Sequence, residues 1–199
     1  MLRAKQELVT TETQLSEFNA TEYFVPDRRF NLGAVTYYEG PDVWALEIAP
    51  YDTASAEMIE ALYRASQAGV PIKLIVRGVC CLRPGVPGLS DNITVRSVVG
   101  RFLEHSRVYW FGNEGKPEIF CSSADWMERN LLRRVETCFP ILDPALAERV
   151  FNEELANYLA DNQQAWQLHA DGRYSRALPA PDAMPYSAQG ALLAKICHR

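Results

Sequence analysis

The chain has 199 residues, and what it lacks excludes several functions. Its five cysteines, Cys80, Cys81, Cys121, Cys138 and Cys197, are odd in number, with no C-x-x-C pair and no paired histidines nearby. That excludes a zinc site or a disulfide framework and leaves them as core thiols. No apolar run approaches the roughly 18 residues of a membrane span, and no apolar stretch follows the first charges; no membrane span and a cytoplasmic location are expected. Neither G-x-x-x-x-G-K-[ST] nor G-x-G-x-x-G occurs, so the Walker, Rossmann and protein-kinase routes to a nucleotide are closed. A formal charge of −5 argues against nucleic acid as a partner.

That total hides an asymmetry. Residues 71–140 carry ten Lys+Arg against seven Asp+Glu, and the remainder ten against eighteen. Eight of the ten central cations are Arg, whose planar guanidinium grips phosphate bidentately and stays charged when desolvated. Two readings stand on charge alone: a phosphate-rich ligand, or solvated arginines at strand edges.

Residues 1–42, interrupted by Pro26, Gly33, Gly40 and Pro41, read as irregular or partly helical. Residues 43–49 read as a buried strand. A helix capped by Thr53 or Ser55 then carries Met58, Ile59, Leu62, Tyr63 and Ala65 at helical spacing and stops at Gly69. With an aliphatic strand at 72–76 these pieces form a β-α-β unit. Pro84, Gly85, Pro87 and Gly88 mark a loop, 93–98 alternates as a strand, and 100–104 is a short turn or helix. Strands at 108–111 and 119–121 are joined by a hairpin turn at 113–115, and a further strand covers 135–142. Asp143-Pro144 opens a long helix whose stripe of Leu146, Val150, Phe151, Leu155 and Leu159 covers the sheet as far as about residue 162. Residues 170–199 read as a poorly packed tail. The fold class is α/β, with a mixed β-sheet flanked by helices, and 43–174 is the domain between a divergent segment 1–42 and a tail 175–199.

Chemistry concentrates at His105-Ser106-Arg107. In extended backbone His105 and Arg107 project to the same side; an imidazole beside a guanidinium suits phosphoryl transfer, but a structural pair is the commoner role of such neighbours. Arg77 ends a strand and opens the Pro/Gly loop; it faces a crevice or pairs with an acid. Ser122, Ser123 and Asn130 are neutral donors to phosphoryl oxygens or caps of the turn after a strand. The aromatics Tyr109, Trp110, Phe111, Phe120 and Trp126 fall at strand spacing, which suits a core more than a stacking platform.

The run VRGVCCLRPGVPGLSDNITVRSVVGRFLEHSRVYWFGN, with SSADWMERNLLRRVE and F-P-I-L-D-P after it, resembles the C-terminal catalytic domain of bacterial polyphosphate kinases of the first type. The resemblance runs less densely from about Ala45 through Asp171-Gly172-Arg173-Tyr174. It implies half of a phospholipase D-like fold and reversible transfer of the terminal phosphate of ATP to inorganic polyphosphate. The phosphohistidine would lie in a preceding domain this sequence lacks. His105 would then donate a proton or hold nucleotide phosphates, and Arg77 would bind nucleotide; Arg107, Ser122, Ser123 and Asn130 remain candidate phosphate ligands on the reading of the residues above. Magnesium is expected, with its ligands outside this chain. The implied partners are ATP/ADP, polyphosphate, and a second copy of the chain or the missing kinase domains. A catalytically silent polyphosphate- or nucleotide-binding module and a phospholipase D-like phosphodiesterase are the alternatives.

Overall fold

Alternating apolar residues build a sheet with a core on each side. In the computed structural model, which describes residues 43–46, 56–78 and 80–197, eight strands run in the order β6-β5-β4-β1-β2-β3-β7-β8. They are β1 (Val43–Leu46), β2 (Ile72–Ile75), β3 (Ile93–Val98), β4 (Val108–Phe111), β5 (Glu118–Ser122), β6 (Cys138–Pro140), β7 (Ala165–Leu168) and β8 (Tyr174–Arg176). β1, β2 and β3 are parallel to one another and the outer strands pair antiparallel, so the sheet is mixed as expected.

Helix α1 (Ala56–Gln67) connects β1 to β2. Its buried Met58, Leu62 and Ala65 pack with Ile72, Leu74, Ile93, Val95, Tyr109 and Phe120 on one face of the sheet. Full burial of a side chain such as Leu62 stabilises the fold by about 1.5–3 kcal/mol. Gly69, at φ +89°, ends the helix: its amide bonds Ser66 O and that of Val70 bonds Ala65 O. A left-handed residue here favours glycine. The caps assigned to Thr53 or Ser55, and the readings of 1–42 and 47–50, lie outside the described residues.

After the short helix α2 (Glu128–Arg133), the opposite face is covered by the helical run 144–160: α3 (Pro144–Val150), a π segment (Phe151–Ala156) and α4 (Asn157–Ala160). Asp143 caps it, accepting from Leu146 N at 2.9 Å, with Pro144 in the first turn. Leu155 and Tyr158 pack on Ile75, Val98, Val108 and Ile119. Leu146, expected in the apolar stripe, is 52% exposed, because the run meets the sheet only from Ala147 onward.

Other expectations need correction. The strand read over 135–142 shrinks to Cys138–Pro140, which among the described residues pairs only with β5 at the sheet edge, with Val135 and Leu142 exposed on either side. Segment 100–104 has no regular structure. The region after 170 is more than a loose tail: it holds β8 and α5 (Ala188–Cys197), and Ala188 and Leu192 join the second core. Short β7, which has no strand period in the sequence, pairs with β3 and carries β8.

Candidate active site

Strand register gathers the interesting turns at one edge. Leu46 stands beside Ile75, and Ile75 beside Arg96, near the C-terminal ends of the parallel strands. Antiparallel β4 begins at that edge, Val108 opposite Leu46, and β5 ends there, Cys121 opposite Val108. β6 starts there too, Cys138 opposite Ser122. Arg77, 99–107 and 122–137 therefore all lie at the edge where α/β sheets place ligand crevices.

A cleft of about 410 Å³ opens at this edge, lined by Arg77, Gly78, the end of β3 and residues 99–104. Arg77 is half-buried at the point where the chain leaves β2, and Gly78, at φ +110°, turns it toward the Pro/Gly loop. Glu104, the last residue of the lining, precedes His105.

His105 is exposed, but its neighbours are anchored. Arg107 is 8% exposed; its Nε and Nη2 both donate to Asp125 Oδ1, at 2.8 and 2.6 Å. Its Nη1 donates to His105 O at 2.8 Å and lies 3.0 Å from His105 Nδ1. A guanidinium only donates, so Nδ1 accepts and the neutral ring carries its proton on Nε2. His105 and Arg107 do meet, as their spacing predicts, but the guanidinium is turned inward. On the other side Ser106 hydrogen-bonds Glu154, and Glu104 accepts from Tyr158. Burial pushes the Glu154 carboxyl up, and Ser106 partly offsets that. Burial also pushes the Tyr158 phenol up, helped by Glu104.

The three neutral candidates belong to one turn. Ser122 Oγ donates to Thr137 O at 3.1 Å and accepts from Ala124 N at 3.0 Å. Ser123 Oγ donates to Glu136 at 2.5 Å and accepts from Thr137 N at 2.9 Å. Asn130 Nδ2 donates to the other Glu136 oxygen at 3.2 Å, while its buried Oδ1 has no partner among the described residues. Stacking of Tyr109 on Trp126, centroids 5.5 Å apart and 6° from parallel, fixes the turn from below, which makes these aromatics core. Asp125 and Glu136 escaped sequence reasoning: each is a single acid in a polar turn, with no spacing to mark it. The available signal was compositional, an acid close to several arginines.

Among the described residues no three His, Cys, Asp or Glu side chains converge as cation ligands. These residues do not by themselves fit magnesium. No helix among the described residues is long and apolar enough to cross a membrane.

Comparison with known proteins agrees with the motifs. The family described as "Polyphosphate kinase C-terminal domain 2" matches residues 52–189. The polyphosphate kinase of Xylella fastidiosa is 66% identical over 137 residues, 69% of this chain and 20% of the relative. That of Pseudomonas aeruginosa is 59% identical over 140 residues, 70% of this chain and 20% of the relative. The crystal structure of the polyphosphate kinase from Porphyromonas gingivalis superposes with a TM-score of 0.72 at 41% identity, covering 80% of this chain and 24% of that one. The chain thus spans about a fifth of the length of the curated relatives it matches. Since the family match covers most of the sequence, including the cleft and the His105–Arg107–Asp125 group, the chain belongs to the polyphosphate kinase C-terminal domain family.

Proposed function

We propose that the chain supplies one half of a phosphoryl-transfer site, at which the terminal phosphate of ATP passes reversibly to inorganic polyphosphate through a phosphohistidine borne by another part of the kinase. The observation that carries this reading is the His105–Arg107–Asp125 arrangement at the cleft edge. An exposed imidazole with Nδ1 occupied presents Nε2–H outward, which suits donation to a phosphoryl or leaving oxygen and disfavours attack on phosphorus. Arg77 grips phosphate in the cleft, where a guanidinium fork stabilises charge spread over equatorial oxygens. Arg107 acts through His105 as a positioning residue. Ser122, Ser123 and Asn130 act by holding the turn that carries Asp125. The partner across this edge is the rest of the kinase.

The test is to incubate the pure chain with labelled ATP, alone and together with a polypeptide carrying the remaining kinase domains. The chain alone should form neither acid-labile phosphohistidine nor polyphosphate; the mixture should form both. Label on His105 itself would overturn the assignment of the nucleophile elsewhere.

A further inference from the structure

The wall of the cleft that leads into His105 is held in an unusual way. Among the described residues, the backbone of 100–106 makes no backbone–backbone hydrogen bond. The flanking anchors are Val99 N to Gln164 O at 3.0 Å and Ser122 N to Arg107 O at 2.9 Å. Burial does not hold the wall either, since Val99, Phe102 and Leu103 are 65%, 48% and 77% exposed. The remaining support comes from the side chains, above all from Gln189.

Gln189 sits at the start of α5 and is 5% exposed. Its Oε1 accepts from Phe102 N at 3.0 Å, and its Nε2 donates to Phe102 O at 2.7 Å and to Glu104 Oε1 at 2.5 Å. One carboxamide thus pairs with Phe102 as a neighbouring strand would, and its second N–H goes to Glu104. The helix behind it is pinned. Asp161 Oδ2 accepts from Ala188 N at 2.8 Å, Asn157 Nδ2 donates to Ala188 O at 3.2 Å, and Ser187 Oγ donates to Gln164 at 2.8 Å. Gly100 completes the contact: a methyl group there would overlap the Gln189 carboxamide.

We infer that Gln189 is a positioning residue of the phosphoryl-transfer site, fixing cleft wall 100–104 and with it the approach to His105 and Arg77. Its consequence for transfer rests on the function proposed above; its hold on the wall does not.

Hydrogen exchange on the chain and transfer by the chain assembled with the remaining kinase domains test this together. In Gln189→Ala, exchange at the Phe102 amide should rise at least about tenfold with β2, β3 and β4 still protected, and kcat should fall roughly ten- to hundredfold, more than KM rises. Gln189→Glu is the diagnostic variant. Ionised, the new carboxyl lacks both donors and faces Glu104; protonated, it regains a donor beside an acceptor. Protection at Phe102 and kcat, each relative to wild type, should therefore recover as pH falls, which Gln189→Ala cannot do. Gly100→Ala should mimic Gln189→Ala, and the double variant should be no worse than either. Unchanged protection in Gln189→Ala, a loosened wall with unchanged kcat, or no low-pH recovery in Gln189→Glu would each overturn the inference. If the assembled wild type transfers no phosphate, the function reading fails, and the exchange results still decide whether Gln189 holds the wall.

Discussion

Glu104 and Arg107 stand three positions apart in the sequence and mark a boundary between two differently built regions. On the Arg107 side, a buried ion pair, a stacked Tyr109–Trp126 core and a hydrogen-bonded serine turn form one block. On the Glu104 side, an exposed apolar wall has no ladder of its own and is tied by Gln189 and Tyr158. The first construction tolerates little displacement, because separating buried charges is costly. The second can shift when a few side-chain hydrogen bonds rearrange, each with a net contribution of about 0.5–1.5 kcal/mol, or about 1.5–3 kcal/mol where Glu104 is the acceptor. His105 lies at the junction, so one side orients its ring while the other shapes what reaches it.

The strongest way to break the comparison is Asp125→Ala. Removing the carboxylate leaves Arg107 buried and uncompensated, and the variant should lose about 3–5 kcal/mol in denaturant unfolding. A loss below 1 kcal/mol would mean that the pair is not the frame. His105→Ala should do the reverse. Its ring is exposed, so stability should stay within about 0.5 kcal/mol, while transfer by the assembled kinase falls on the order of 10²–10⁴-fold. Full activity in that variant would remove His105 from the mechanism.

Glu154→Gln sharpens the picture on the smallest scale. Burial raises the folded carboxyl above its ordinary value of 4.5. The folded state therefore holds that proton more tightly than the unfolded one, and stability falls as pH rises from the unfolded value through the folded one. The glutamine variant escapes this cost and can keep the bond to Ser106. It should be about 0.5 kcal/mol more stable than wild type at neutral pH, with the gap closing in acid. Paired denaturant titrations at the two pH values check the sign; a gap that widens in acid would contradict it.

Much of this was legible in the sequence where periodicity meets burial. β3, β4 and β5 alternate because two cores clamp the sheet, so Tyr109 and Phe111 face one and Val108 the other. The β-α-β unit announced itself through the spacing of Met58, Leu62 and Ala65 and through Gly69. What failed was short or collective. Ala165–Leu168 is too brief for a period and is a strand only because β3 is there to pair with it. The proline-rich stretch before α5 suggested a loose end, yet Asp161 and Asn157 capture that helix from the other side of a turn. Arg107 illustrates the limit for the site: sequence counts a guanidinium near a histidine, and only the fold brings Asp125 to claim it.

The π segment at 151–156 has a consequence for the length of the helix. Bonding from i to i+5 accommodates roughly one more residue than the same rise of α-helix would. Helical run 144–160 therefore has a single stretch where losing a residue could be absorbed, by closing into ordinary α turns, without changing the span between Asp143 and Asp161. Because a π turn holds about one residue more than an α turn, closing it would also leave the residues on either side near their present angular positions about the axis. The extra residue is thus confined to the stretch that holds Glu154 beside Ser106 and Leu155 against the sheet, and the rest of the run keeps its alignment without it.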